Sequence, residues 1–226
     1  MNPPEKNYKY LGDLSVLFVS VLLISNIAST KIVYFWGLSL DGGTLLFPLC
    51  YIFDDILTEV YGYKKARRVI WLGFSCALVM ALLFMIIGKL PASADWGNQS
   101  AYDLILGSTP RIILASLVAY LFGTFSNSFI LAKIKIATKG KKLWMRTIGS
   151  TVVGELLDSS IFILIAFLGV LPSSLLFALI VSNYLFKTAI EVLFTPLTYK
   201  IVNFLKKKED EDYFDNNTNF NPFSFK

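Results

Sequence analysis

The chain has 226 residues, of which 55 % are hydrophobic and only 16 % charged, with 19 phenylalanines and no histidine, and its mean hydropathy is +0.60. A solvated globular surface does not allow that balance, so lipid is the expected solvent for most of the chain. The formal net charge of +5 would suit a nucleic-acid partner, but the basic residues are clumped between apolar runs, a distribution that membrane topology explains and nucleic-acid binding does not.

A spanning helix needs about 20 predominantly apolar residues. Six stretches approach that length: Leu11 to Ser29, Gly43 to Tyr61, Val69 to Gly88, Pro110 to Ala132, Thr147 to Val170 and Ser174 to Phe204. They predict an all-α, six-helix transmembrane bundle over residues 1–205. The first run lacks an A-x-A cleavage site and is followed by five more spans, so it reads as a retained helix and not a secretory signal. The sixth would reach about 46 Å at 1.5 Å per residue, and so should tilt, bend near Pro196 or extend past the headgroups. Cys50 and Cys76 lie inside predicted spans, with neither disulfide nor metal-ligand spacing.

Basic residues set the orientation, because cytoplasmic loops retain lysine and arginine. Seventeen of the 21 precede the first span, follow the second, follow the fourth or close the chain, whereas Lys31, Lys89 and Arg111 fall on the other side and Lys187 lies inside the sixth span. Both termini are therefore expected in the cytoplasm. The acidic tail, residues 206–226, has no apolar periodicity and reads as disordered.

The informative residues are the charges inside the spans. The second span carries Asp54, Asp55 and Glu59. At mid-helix each acid costs about 2.5–3.5 kcal/mol to insert, while a large apolar residue returns only about 0.3–0.6. Such a segment spans only if its acids face a protein interior or wet cavity, pair with a cation, or take up protons. Asp55 and Glu59 share a helix face with Tyr51. The fifth span repeats the pattern with Glu155 and Asp158, and the sixth supplies a polar stripe of Asn183, Lys187 and Glu191. Asp54, Asp55, Asp158 and Lys187 should meet near the bilayer midplane. Asn26 with Thr30 on the first span, and Tyr120, Thr124 and Asn127 on the fourth, could line the same hollow or simply hold helices together. A structural ion pair involving Lys187 is the plain alternative, but five or six acids against one lysine exceed what a purely structural network requires.

At these residues the sequence resembles the vitamin uptake transporter family, which includes bacterial queuosine precursor transporters. The resemblance is carried by DILTEVYGYKKARRVIW (Asp55 to Trp71), STVVGELLDSSIFILIAF (Ser150 to Phe167) and SNYLFKTAIEVLFTPL (Ser182 to Leu197), with ISN (Ile24 to Asn26) as a minor echo. It implies a six-helix protein of the bacterial inner membrane that imports 7-deazaguanine bases. Such a base offers two adjacent donors to a carboxylate, and its carbonyl and nitrile want donors such as lysine or asparagine. The expected substrate residues are Asp55, Glu59, Glu155, Asp158, Lys187, Asn183, Asn26 and Asn127, with Tyr51 or Tyr120 against the ring. Asp54 and Glu191 are candidates for ion coupling.

No G-x-x-x-x-G-K-[ST] loop is present, so ATP hydrolysis by this chain is not expected, and transport without an ATPase partner is favoured over a substrate-binding subunit of an ATPase-driven system. An intramembrane enzyme using carboxylate pairs is the rival class. The missing histidine, H-E-x-x-H and G-x-S-x-G weigh against it. No catalytic residue, metal or cofactor is expected, the partners being solute and bilayer, and the oligomeric state is left open between monomer and homodimer.

Overall fold

Hydrocarbon offers no hydrogen bonds, so a backbone crossing it must satisfy its own, which favours helices throughout. The computed structural model describes residues 6–29, 31–35, 38–107, 110–169 and 172–224. Among them are seven α-helices: α1 (Leu11–Ala28), α2 (Phe47–Tyr61), α3 (Tyr63–Gly88), α4 (Gln99–Ile105), α5 (Pro110–Ala137), α6 (Leu143–Phe167) and α7 (Ser173–Glu209). Five of these, α1, α3, α5, α6 and α7, are long and apolar enough to cross a membrane, and the chain is a multi-pass membrane protein. The second predicted span appears as α2, which has only 15 residues and stands outside the five. The sequence reading also lacked α4 and an antiparallel hairpin, β1 (Ile32–Phe35) with β2 (Leu38–Asp41), in which Ile32 pairs with Asp41 and Phe35 with Leu38. The fold is thus helical with one small sheet, not strictly all-α.

Each long helix divides into an inner and a lipid-side face. On α3, Ala66, Ile70, Phe74, Ala77 and Ala81 are buried at helical spacing, while Leu72, Val79, Leu83 and Ile86 are exposed. α2 is instead buried on nearly every side, as expected of a helix carrying three acids, and packs against α1, α3, α5 and α7.

Three glycines set the geometry. Gly62 has φ 86° and ψ 160°, which L-residues rarely adopt. It lets α3 follow α2 with itself as the single residue between them, and a Cβ there would lie 2.2 Å from the Tyr213 ring. Gly123 of α5 and Gly154 of α6 face each other where the two helices make the most extensive pairing in the bundle. A Cβ on either would come within 3.0 Å of the other's carbonyl oxygen, and one on Gly123 would also strike the Tyr51 hydroxyl at 2.3 Å. Small residues let helix backbones approach closely where apolar surface alone gives no drive to associate.

The N-terminal residues, the α2–α3 junction and the tail meet at one end of the bundle. Lys6 donates to the Asp210 carbonyl at 2.6 Å, Tyr8 Oη to Glu211 at 2.7 Å and the Tyr10 amide to Glu209 at 2.7 Å. Residues 210–224 of the tail lie across this end. Arg67 donates to the Asn219 and Asn221 carbonyls, Trp71 Nε1 to the Pro222 carbonyl, and the Tyr63 amide to Asp215. Phe220 packs between Tyr63 and Phe129 under the Lys133 ammonium. The tail is held chiefly by donors from the helices to its backbone, which leave no hydrophobic period to read.

Overpacking a tight contact costs about 1–3 kcal/mol, and the α5–α6 crossing has no slack. Gly123→Val is expected to lower the thermal unfolding midpoint of detergent-purified protein and push apart the helices that carry Asn127 and Glu155. An unchanged midpoint would refute this account of the crossing.

Candidate solute site

Ionisable side chains line the inside of the bundle in three tiers. The tier nearest the termini is centred on Glu59, which is completely buried. Arg146 donates to both its oxygens, Nε at 2.5 Å and Nη2 at 2.6 Å, and Lys206 donates to Oε1. Lys135 stands 3.5 Å away and donates to the Glu59 and Tyr213 carbonyls at 2.6 and 2.7 Å. Asp212 of the tail closes the cluster against Lys135 and Lys206 at 2.6 and 2.8 Å. Burial alone would raise the Asp212 carboxyl, but hydrogen bonds from these two ammonium groups outweigh it and hold it below the usual range.

In the middle tier, the Asn127 amide of α5 sits between two neighbouring acids, donating to Asp55 Oδ1 at 2.6 Å and Asp54 Oδ2 at 3.1 Å. Ser128 donates to Asp54 at 2.6 Å. Glu191 is also buried, on α7, which packs against α2. Among the described residues, Asp55 Oδ2, Asn127 Oδ1 and both Glu191 oxygens are buried without a hydrogen-bond partner.

The third tier lies towards the hairpin end. Lys187 of α7 donates to Asp158 at 2.5 Å and stands 3.3 Å from Glu155. It also lies 5.3 Å from the centre of the Phe47 ring. Asp158, Lys187, Ser159, Asn183, Phe47 and Phe162 border a cavity of about 40 Å³, which Thr44 and Ser29 help to close. That volume holds about one water molecule and is far below the roughly 300 Å³ at which ligand pockets begin.

The structure thus brings together Asp158, Lys187, Glu155 and Asn183 as the sequence anticipated. Asp55 and Asn127 do not border the cavity and belong to the tier beneath it. Glu59 lies apart from the cavity, in the tier nearest the termini, where Arg146 donates to both its oxygens. Asn26 donates back to the Leu22 carbonyl of its own helix, and Thr30 lies outside the described residues. Tyr51 is wedged against Gly123 and Gly154, and Tyr120 packs among Phe18, Phe47 and Phe74. The aromatic groups at the cavity are instead Phe47 and Phe162, which no pattern singled out on apolar spans. Lys135 and Arg146 were missed as buried cations. The available signal was Glu59 itself, an acid with no cation on its own helix.

A multi-pass bundle with a carboxylate–lysine cavity and a sealed terminal end has the make-up of a solute transporter and not of an enzyme. The comparisons agree. Residues 41–201 match the family model described as "Putative vitamin uptake transporter", and the chain belongs to that family. It is 35 % identical to the "Probable queuosine precursor transporter" of Bacillus subtilis (strain 168) over 199 residues, 85 % of each chain. It is 24 % identical to the "Queuosine precursor transporter" of Escherichia coli (strain K12) over 208 residues, covering 90 % of this chain and 91 % of that one. No solved structure matches.

Breaking a buried ion pair on one side costs about 3–5 kcal/mol, because the partner is left charged and alone. Arg146→Met should therefore destabilise the protein by about that much, and Glu59→Gln on the same background should recover part of the loss. A double-mutant cycle by thermal unfolding measures this, and strictly additive effects would contradict the pairing.

Proposed function

We propose that this protein imports a queuosine precursor base, 7-cyano- or 7-aminomethyl-7-deazaguanine, across the bacterial inner membrane, by secondary or facilitated transport and without an ATPase partner. The substrate class follows the printed names of the relatives, and the observation that carries it here is Lys187 held against Asp158 and Glu155 at a cavity bordered by two phenylalanines. A planar base needs a carboxylate for its N1–H and exocyclic amine, a donor for its carbonyl and a ring face to stack on. Asp158 or Glu155 supplies the first, Lys187 and Asn183 the second, and Phe47 or Phe162 the third.

The bundle crosses the membrane six times, with both termini cytoplasmic. Contacts between residues 6–10 and 209–211 support an even number of crossings, and the five long helices are odd in number. The sixth crossing falls to α2 with the 3₁₀ turn before it, Gly42–Leu45. Together they reach about 30 Å, the thickness of the hydrocarbon core. The cavity then lies in the outer half, and the Glu59 cluster and the tail seal the inner end. A water-sized cavity must widen to admit a base, as alternating access requires.

Expressed in a bacterium that cannot make queuosine and fed nanomolar precursor base, the chain should restore the modified nucleoside in tRNA. Lys187→Met and Asp158→Asn should each cut uptake at least tenfold at unchanged membrane abundance. Uptake at the unmodified level in both variants would reject this site.

A further inference from the structure

The seven buried acids of α2, α6 and α7 are not compensated alike, Glu209 at the end of α7 being bonded to the Lys9 and Tyr10 amides and the Tyr61 hydroxyl. Among the described residues the buried basic side chains are Arg67, Lys135, Arg146 and Lys187. Arg67 is bonded to tail carbonyls, Lys135 and Arg146 belong to Glu59, and Lys187 is shared by Glu155 and Asp158. Every buried cation is thus committed, and no ion pair among the described residues reaches Asp54, Asp55 or Glu191. Asp54 is the best satisfied of the three, receiving bonds from Ser128 and Asn127.

Asp55 and Glu191 differ. They lie on α2 and α7, two helices that pack against each other, both are at most 1 % exposed, and three of their four carboxylate oxygens have no hydrogen-bond partner. The Asn127 carbonyl oxygen, also fully buried, has no hydrogen-bond partner, and its amide nitrogen donates to Asp54 and Asp55. Native interiors seldom leave so many polar atoms unmatched unless something else occupies the place. Oxygen donors alone, all carrying or sharing negative charge, call for a small hard cation and repel an anion. A flat base would need an apolar wall, and the aromatic residues that border the cavity, Phe47 and Phe162, lie in the other tier.

We propose that Asp55, Glu191 and the Asn127 carbonyl form a second site, separate from the solute cavity, that binds one monovalent cation, either a proton or Na⁺, in each transport cycle. The two sites are joined through α7, on which Glu191 lies one helical turn from Lys187, the lysine shared by Glu155 and Asp158. Filling the cation site removes repulsion beside the acids that hold Lys187, so the occupancy of one site alters the other. The electrochemical gradient then enters solute transport by this route.

The proposal rests on the solute assignment above, and the test separates the two. Purified protein in liposomes is given radiolabelled 7-cyano-7-deazaguanine in two assays. The first is exchange against unlabelled base with no ion gradient, which reports the solute site alone. The second is net accumulation under an imposed inward proton gradient or, in a separate arm, an inward Na⁺ gradient. The unaltered chain should exchange, and should accumulate base at least tenfold in one of the two gradient arms, which identifies the cation. Glu191→Gln and Asp55→Asn should retain exchange within about twofold and lose accumulation. Absence of exchange by the unaltered chain would fail the solute assignment. Exchange with no accumulation under either gradient, or accumulation preserved in both variants, would overturn the cation site, as would variants that lose exchange and accumulation together.

Discussion

Moving a carboxylate from water into a protein interior costs several kcal/mol even after relaxation, and in a membrane the surrounding lipid offers no alternative partner. The bundle meets that constraint differently at each depth. Near the termini, Glu59 has three cations around it. Towards the hairpin end, Glu155 and Asp158 share one lysine. Between them, Asp54, Asp55 and Glu191 have no ion-pair partner among the described residues; the first two rely on an amide and a hydroxyl, and Glu191 has no hydrogen-bond partner. A network serving stability alone would be saturated throughout, as it is at Glu59. The gradation separates the saturated cluster at Glu59 from the incompletely paired carboxylates, where the proposed solute and cation sites lie.

The close approach of α5 and α6 makes this arrangement possible. With hydrogen atoms in place of side chains at Gly123 and Gly154, the two helices meet nearly backbone to backbone, and Tyr51 of α2 fits its hydroxyl into the same crossing, 3.5 Å from the Gly154 carbonyl. That contact fixes α2 against both helices. It places Asn127, one turn beyond Gly123, between Asp54 and Asp55, and it presents Glu155 and Asp158, which flank the crossing on α6, to Lys187. One small-residue contact therefore positions two tiers at once, and its loss would be felt at Asp55 as much as at Asp158.

Most of the membrane architecture was legible in the sequence, because apolar run length is imposed by bilayer thickness and survives any change of packing partner. The association of Asp158 with Lys187 was legible for the same reason that it exists, since a lone mid-span lysine needs an acid. The errors came from the ends of helices. α5 continues to Ala137 and α6 begins at Leu143, beyond the predicted limits of Ala132 and Thr147. Lys135 and Arg146 were therefore read as loop charges that set orientation, whereas helical phase turns them inward onto Glu59. The position of Asp55 outside the cavity could not be read at all. Spacing fixes the face of a helix but not which neighbour that face meets, and Asn127 settles the matter for Asp55 from a different helix.

The ion-pair cluster at the terminal end is buried at its centre and hydrated at its rim. Glu59 and Arg146 are buried, but the outer members of the cluster are not: the Lys206 and Asp212 side chains are 19 % and 46 % exposed. Water can take over their bonds as they separate, so parting the outer layer costs much less than the number of ion pairs suggests. The inner Glu59–Arg146 pair has no such recourse and stays together unless α6 carries Arg146 away from α2 as a unit. The tail adds to the barrier through carbonyl acceptors spread along residues 213–222, each weak and each replaceable by water. A bundle that rocks about the Gly123–Gly154 contact would therefore release its hydrated outer layer first and keep its buried charge paired, which is the order that avoids exposing a lone carboxylate to lipid.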